Sequence, residues 1–171
     1  EYGPAQFAVG YELTKYGSSD ATSTAPAARE LDKDGQLVFV GGNYDFEVVQ
    51  LFAEAQYFKH QTAINTNEQG EATVFGKDAL GLKGYGLHLG AAAPLGAGTL
   101  TAGLYYVDYS EEFDAAADQD YKFYGVSARY NYPLSERTSL YAGAGYGQTK
   151  ADDSGDKDQL TQVYCGLVHT F

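Results

Sequence analysis

The sequence contains no Met and no Trp, one Cys, 4 Pro, and 11 Lys plus Arg against 23 Asp plus Glu. The absence of Met implies a processed chain or a fragment of a longer one. A single Cys excludes an internal disulfide framework and a cysteine-rich zinc site. The net charge of −12 argues against a nucleic-acid partner, because binding the phosphate backbone needs clustered Lys and Arg. Mean hydropathy is −0.36, and no stretch approaches the roughly 18 consecutive apolar residues of a membrane helix. Glu1 to Tyr11 has neither a basic segment nor an apolar one, so no secretory signal is expected there. The length of 171 residues allows one unit, 1–171, without separate domains.

What is abundant is Gly (21), Tyr (16) and Phe (9). Aromatic residues are what disordered chains lack, so the chain is expected to fold. The dominant pattern is alternation with period two, the period of a strand. Phe7, Val9, Tyr11 and Leu13 alternate with Ala8, Gly10 and Glu12. Val49, Leu51, Ala53, Ala55 and Tyr57 alternate with Gln50, Phe52, Glu54 and Gln56. Tyr85, Leu87 and Leu89 alternate with Gly86, His88 and Gly90, and Leu104 and Tyr106 with Gly103, Tyr105 and Val107. Tyr124, Val126, Ala128, Tyr130 and Tyr132 alternate with Gly125, Ser127, Arg129 and Asn131. Similar runs cover Val38–Phe46, Leu140–Gly147 and Val163–Phe171. Eight strands in a meander are predicted, and no helix.

Connection lengths alternate as well. Three are tight, around Asp45–Glu47, Pro94–Gly98 and Leu134–Arg137; four are long and polar, Gly17–Gly35, Lys59–Lys83, Ser110–Asp120 and Thr149–Asp158. Short turns on one side and long loops on the other are the layout of an outer-membrane barrel. A lipocalin-like soluble barrel also alternates, with its apolar face inside. Three features favour the apolar face pointing outward to lipid. Aromatic residues gather at both ends of the apolar stripes, as membrane girdles do. The runs are about 9–13 residues, the length of a tilted spanning strand. The opposite face carries Gln50, Glu54, Gln56, His88, Arg129 and Asn131 at mid-strand, and a dry core would need every one of them paired. Val9, Leu51, Leu89 and Leu104 are therefore expected outside, and Glu12, Glu54, His88 and Arg129 inside.

Gly42-Asn43-Tyr44-Asp45-Phe46 running into Val49-Gln50-Leu51-Phe52-Ala53 resembles the general porins of Gram-negative bacteria, especially the trimeric 16-stranded porins of betaproteobacteria. So do Tyr130-Asn131-Tyr132-Pro133-Leu134-Ser135-Glu136-Arg137-Thr138 and the ending Gly166-Leu167-Val168-His169-Thr170-Phe171. The likeness is to the C-terminal half of that family. It implies an outer-membrane location, lipid and lipopolysaccharide as surroundings, a homotrimer with the closing strand near the trimer contact, and passage of ions and small hydrophilic solutes. The small inner-face residues, among them Gly10, Gly41, Gly86, Gly103, Gly143 and Gly166, agree with one wall of a wide barrel. In a narrow eight-stranded barrel they would leave voids. The edges Ala5–Leu13 and Val163–Phe171 are then expected to lack each other as partners. The alternative is a self-contained eight-stranded barrel with a structural or adhesive role.

The candidate pore-lining residues are Glu12, Gln50, Glu54, Gln56, His88, Tyr105, Arg129 and Asn131. Arg129 is expected to attract anions or to pair with Glu12 or Glu54. No catalytic residue, metal site or cofactor is assigned. Gly143-Ala144-Gly145-Tyr146-Gly147 continues a strand and opens no helix, which argues against a phosphate loop. The carboxylates of the long loops are read as surface solvation, and Asp152-Asp153-Ser154-Gly155-Asp156 departs from EF-hand spacing.

Overall fold

The computed structural model describes residues 3–16, 33–65, 71–73, 79–114 and 116–171. Among them are ten strands and no helix: β1 (Ala5–Thr14), β2 (Gly35–Asp45), β3 (Gln50–Gln61), β4 (Ala63–Asn65), β5 (Glu71–Thr73), β6 (Ala79–Leu95), β7 (Gly98–Phe113), β8 (Gln119–Ser135), β9 (Thr138–Ala151) and β10 (Lys157–His169). Eight of them form one antiparallel meander in the order β1-β2-β3-β6-β7-β8-β9-β10. β4 and β5 make a separate small ladder, Ala63 opposite Thr73. That ladder lies inside the Lys59–Lys83 stretch expected to be loop throughout. Three-residue strands are too short for alternation to register.

The turns at one end are as tight as expected. Phe46 N–H donates to the Val49 carbonyl at 2.9 Å, and the Asp45 carboxylate accepts from Glu47 N–H at 2.7 Å, holding Glu47 at φ 71°. Such side-chain capture of the backbone is what makes Asp a turn residue. Gly96, at φ 61°, supplies the left-handed position between β6 and β7.

At the other end the ladders run further than expected. β6 and β8 have 17 residues and β7 has 16. The loops read as Ser110–Asp120 and Thr149–Asp158 contract to residues 114–118 and 152–156. Beyond the apolar stripe the pairing continues through charged residues, with Lys122 opposite both Asp108 and Lys150. Apolar periodicity therefore stops before hydrogen bonding does.

The two faces separate as the alternation requires. Leu51, Leu89, Leu104 and Val9 share the apolar face, where Leu89 and Leu104 are 60% and 58% exposed. Register lines up Tyr57 with Tyr85 and Tyr106 with Tyr124. The ring centroids of Tyr85 and Tyr106 are 6.0 Å apart, and those of Tyr106 and Tyr124 5.2 Å apart. Near the short turns Tyr44–Phe46 and Tyr130–Tyr132 form the second belt. Tyr124 and Tyr132 are separated by about 26 Å along β8 at the usual strand rise, close to the height of the lipid-facing band of outer-membrane barrels.

A dry cluster of Phe58, Leu82, Val107, Tyr109 and Phe123 lies on the opposite face, at and above the level of the outer belt. The sequence pattern predicts mostly small and polar residues for that face, with Phe52, Tyr105 and Val107 among them, lining water rather than packing into a dry cluster. Phe58 and Tyr109 both flank Gly84 in register, so the missing side chain makes room for the two rings to pack. β1 and β10 are the sheet edges, and among the described residues no ladder joins them.

Candidate functional site

The glycine-rich face carries two hollows and the buried cluster, which makes it the concave one. Its middle holds a recess of about 530 Å³ lined by His88, Tyr105, Arg129 and Asn131, together with Phe52, Thr101, Ser127 and Tyr164. A second hollow of about 380 Å³ adjoins it, between Phe39, Phe52, Glu54 and His88. Register explains the grouping: Glu54 faces His88, His88 faces Tyr105, and Thr101 faces Arg129. Cross-strand partners on one face stand about 5 Å apart.

Several aromatic side chains lie across glycines on neighbouring strands. A Cβ on Gly143 would overlap the Tyr164 ring, and one on Gly166 the Tyr141 ring. One on Gly10 would overlap Phe39. The glycines thus give the wall a smooth surface with rings laid over the backbone. Tyr105 is fixed on both sides: its ring stacks on His88 at 4.6 Å with an interplanar angle of 8°, and its hydroxyl is 3.2 Å from Ser127 Oγ. The expected pairing of Arg129 with Glu12 or Glu54 is not formed. Its guanidinium instead lies 4.3 Å from the centroid of Tyr141, because those acids stand on β1 and β3 while Arg129 is on β8.

Of the eight sequence candidates, the recess brings together His88, Tyr105, Arg129 and Asn131. Glu54 stands beside His88 in the adjoining hollow. Gln56 lies across Gly86 on the same face. Gln50 donates to Asn43 Oδ1 at 3.1 Å near the short-turn end, and Glu12 accepts from Thr14 at 3.0 Å on β1; both are outside the two hollows. Sequence reasoning passed over Thr101 and Ser127 as candidates. Their signal was their position on Arg129's stripe: Ser127 two residues away, Thr101 directly across.

The outer end is chemically different. His60, only 7% exposed, sits at φ 52°, with Nε2 3.5 Å from Glu112, while Lys83 Nζ reaches the other Glu112 oxygen at 3.7 Å. His60 lies above the outer belt, beyond the spanning stretch. Burial holds its pKa below the ordinary value and outweighs the opposing pull of Glu112. In the last loop the Asp152 carboxyl is held below its usual range by its hydrogen bond from Lys122. Among the described residues no three His, Cys, Asp or Glu side chains converge to hold a metal ion.

A curved antiparallel meander with an apolar, aromatic-belted convex face and a polar, glycine-paved concave face defines an outer-membrane β-barrel protein. The sequence profile of the Gram-negative porin family matches residues 1–153, and the chain belongs to that family. Its place is the outer membrane of the cell. No curated protein sequence matches it. Among solved structures it is similar to in-vitro folded OmpT, an outer membrane protein of Vibrio cholerae (16% identity, TM-score 0.63, 81% of this chain and 41% of that one). It is similar also to outer-membrane-expressed OmpT of the same organism (13%, TM-score 0.63, 100% and 63%) and to its loop L8 deletion mutant (14%, TM-score 0.61, 99% and 66%). At these identities the likeness is one of fold. The chain spans less than two thirds of the length of each.

Proposed function

We propose that this chain is one wall, the C-terminal half, of a wide water-filled barrel that passes ions and small hydrophilic solutes by passive diffusion. The observation that carries the reading is the pairing of a polar, glycine-paved concave face with an unclosed sheet. A closed eight-stranded barrel fills its narrow interior with side chains. Here β1 and β10 are edges, with Phe7 and Val163 87% and 79% exposed. Unpaired backbone groups in lipid cost several kcal/mol each, so both edges require further strands, which the remainder of a longer polypeptide would supply. Porin family membership agrees with this. The alternative, a self-contained barrel, needs β1 hydrogen-bonded to β10.

The eight candidates Glu12, Gln50, Glu54, Gln56, His88, Tyr105, Arg129 and Asn131 then line the water column. The protein acts by admitting solutes rather than by transforming them. Lipid and lipopolysaccharide surround the convex face. A homotrimer would cover part of it, with β10 bringing Val163, Cys165 and Leu167 toward a neighbouring copy. Planar-bilayer recording on the refolded full-length polypeptide tests the channel: stepwise ohmic conductance is expected, and its consistent absence from folded protein would sink the reading. Native mass spectrometry in detergent tests the trimer separately.

A further inference from the structure

Arg129 is a cation on the concave wall of a chain with net charge −12. Among the described residues it has no ion-pair partner. Its contact is the Tyr141 ring, 4.3 Å away. A guanidinium centred over a ring is held by its charge and not through its N–H groups, and among the described residues no hydrogen bond takes up those donors. The arrangement follows from the strands around it. Gly143, directly opposite Arg129, has no side chain to lean on, and the Tyr164 ring already covers it. The long side chain therefore rests on Tyr141, its diagonal neighbour.

The rest of the recess is part polar and part aromatic. Thr101 and Asn131 adjoin Arg129, while Phe52, Tyr105 and Tyr164 offer ring surface within the same 530 Å³. Tyr105 is held between His88 and Ser127, so little rotamer freedom remains to be lost when something packs on it. The volume is in the ordinary range for small-molecule sites.

We propose that this recess is a binding subsite for small aromatic carboxylates. The carboxylate pairs with the free edge of Arg129, whose planar fork matches it bidentately. The solute ring lies against Tyr105 and Phe52 in offset or edge-on contact. An inorganic anion would leave the rings unused, and an aromatic amine would be repelled by the guanidinium. This deepens the channel reading by naming a solute class, and it rests on that reading.

The test uses benzoate, with acetate and benzylamine as comparisons, on the refolded full-length polypeptide. Binding is measured in detergent by calorimetry, and block of single-channel current in planar bilayers. Benzoate is expected to bind saturably and to block, acetate to do so far more weakly, and benzylamine not at all. Arg129→Gln should weaken benzoate binding about tenfold or more, the usual consequence of losing a bidentate charge-assisted pair. Arg129→Lys should restore only part of it, because an ammonium lacks the fork. Tyr105→Leu should lower the preference for benzoate over acetate while sparing acetate. Equal benzoate binding by the wild type and Arg129→Gln, or equal binding of acetate and benzoate, overturns the proposal. Conductance without Arg129-dependent binding sinks the subsite alone. Arg129-dependent binding without conductance sinks the channel and leaves the subsite standing.

Discussion

At its outer end the concave face buries Phe58 and Leu82 to 0% and 2% exposure. A few residues further along the same stripe, Glu54 and Arg129 are exposed and His88 and Tyr105 half-buried. Both stretches use the same period, the same glycine spacing and the same strands. They differ in what stands across from each glycine. Gly84 has bulky rings on both sides, Phe58 and Tyr109, and the rings meet and exclude water. Gly41 has Glu54 across from it, and Gly143 has Arg129 on one side with the Tyr164 ring on the other; no two rings close over these glycines, and Glu54 and Arg129 stay exposed to water. Alternation thus sets which face a residue occupies, while cross-strand partners set whether that part of the face is dry.

The largest effect is expected from filling the dry end. A Cβ on Gly84 would overlap the Asp108 carbonyl oxygen and crowd Tyr109. Gly84→Leu should yield almost no folded protein on refolding into micelles, seen as loss of the heat-modifiable band on gels. Phe58→Ala should fold but lose about 3–5 kcal/mol in urea unfolding, the cost of a large cavity. At the wet end Gly41→Ala meets the flexible Glu54 side chain at 3.3 Å and the Ala53 carbonyl oxygen at an ordinary contact distance of 3.4 Å, and should change stability by less than about 0.5 kcal/mol. Similar losses at both ends would erase the distinction.

The next contrast is between faces. Leu89→Arg should cost about 2–4 kcal/mol, the penalty of an arginine near the bilayer midplane of a barrel. Thr101→Arg, on the concave side, should be nearly neutral in the same unfolding assay. Equal costs would mean that the facing is wrong.

A smaller effect concerns pH. Burial lowers the pKa of His60 from its unfolded value of 6.5. Above that value both states are neutral there, and the group adds no pH dependence. As pH falls below it the unfolded chain takes up a proton that the folded chain resists, so stability declines toward the folded pKa. His60→Asn keeps a residue that tolerates positive φ and removes the titration. The decline in urea midpoint between pH 7.5 and pH 5, pH values chosen to span about the unfolded pKa, should be shallower in the variant. An unchanged slope would assign the decline to other groups.

The smallest effect is at the mouth. Glu111, Glu112, Asp114, Asp118 and Asp120 crowd the end opposite the tight turns. They should favour cations modestly at low salt, with the preference fading as the Debye length shrinks below about 10 Å above 0.1 M. Reversal potentials in a salt gradient measure it, and clear anion preference at low salt would refute it.

By itself the sequence determined the eight-stranded meander, its antiparallel order, the tight turns at one end and the division into two faces. These are local matters: a period of two, turn residues such as Asp45 and Gly96, and belts of Tyr can each be read within a single strand. The candidate wall was legible to the same extent, since Glu54, His88, Arg129 and Asn131 stand on a stripe that lipid cannot accept. Only the tertiary structure decided what depends on neighbouring strands. It extended the ladders beyond the apolar stripe and laid rings over glycines. It dried the outer end of the concave face around Phe58, and it gave Arg129 to Tyr141 rather than to an acid. The reason is register: which residue stands across from which is settled when whole strands align, and no single strand carries that information.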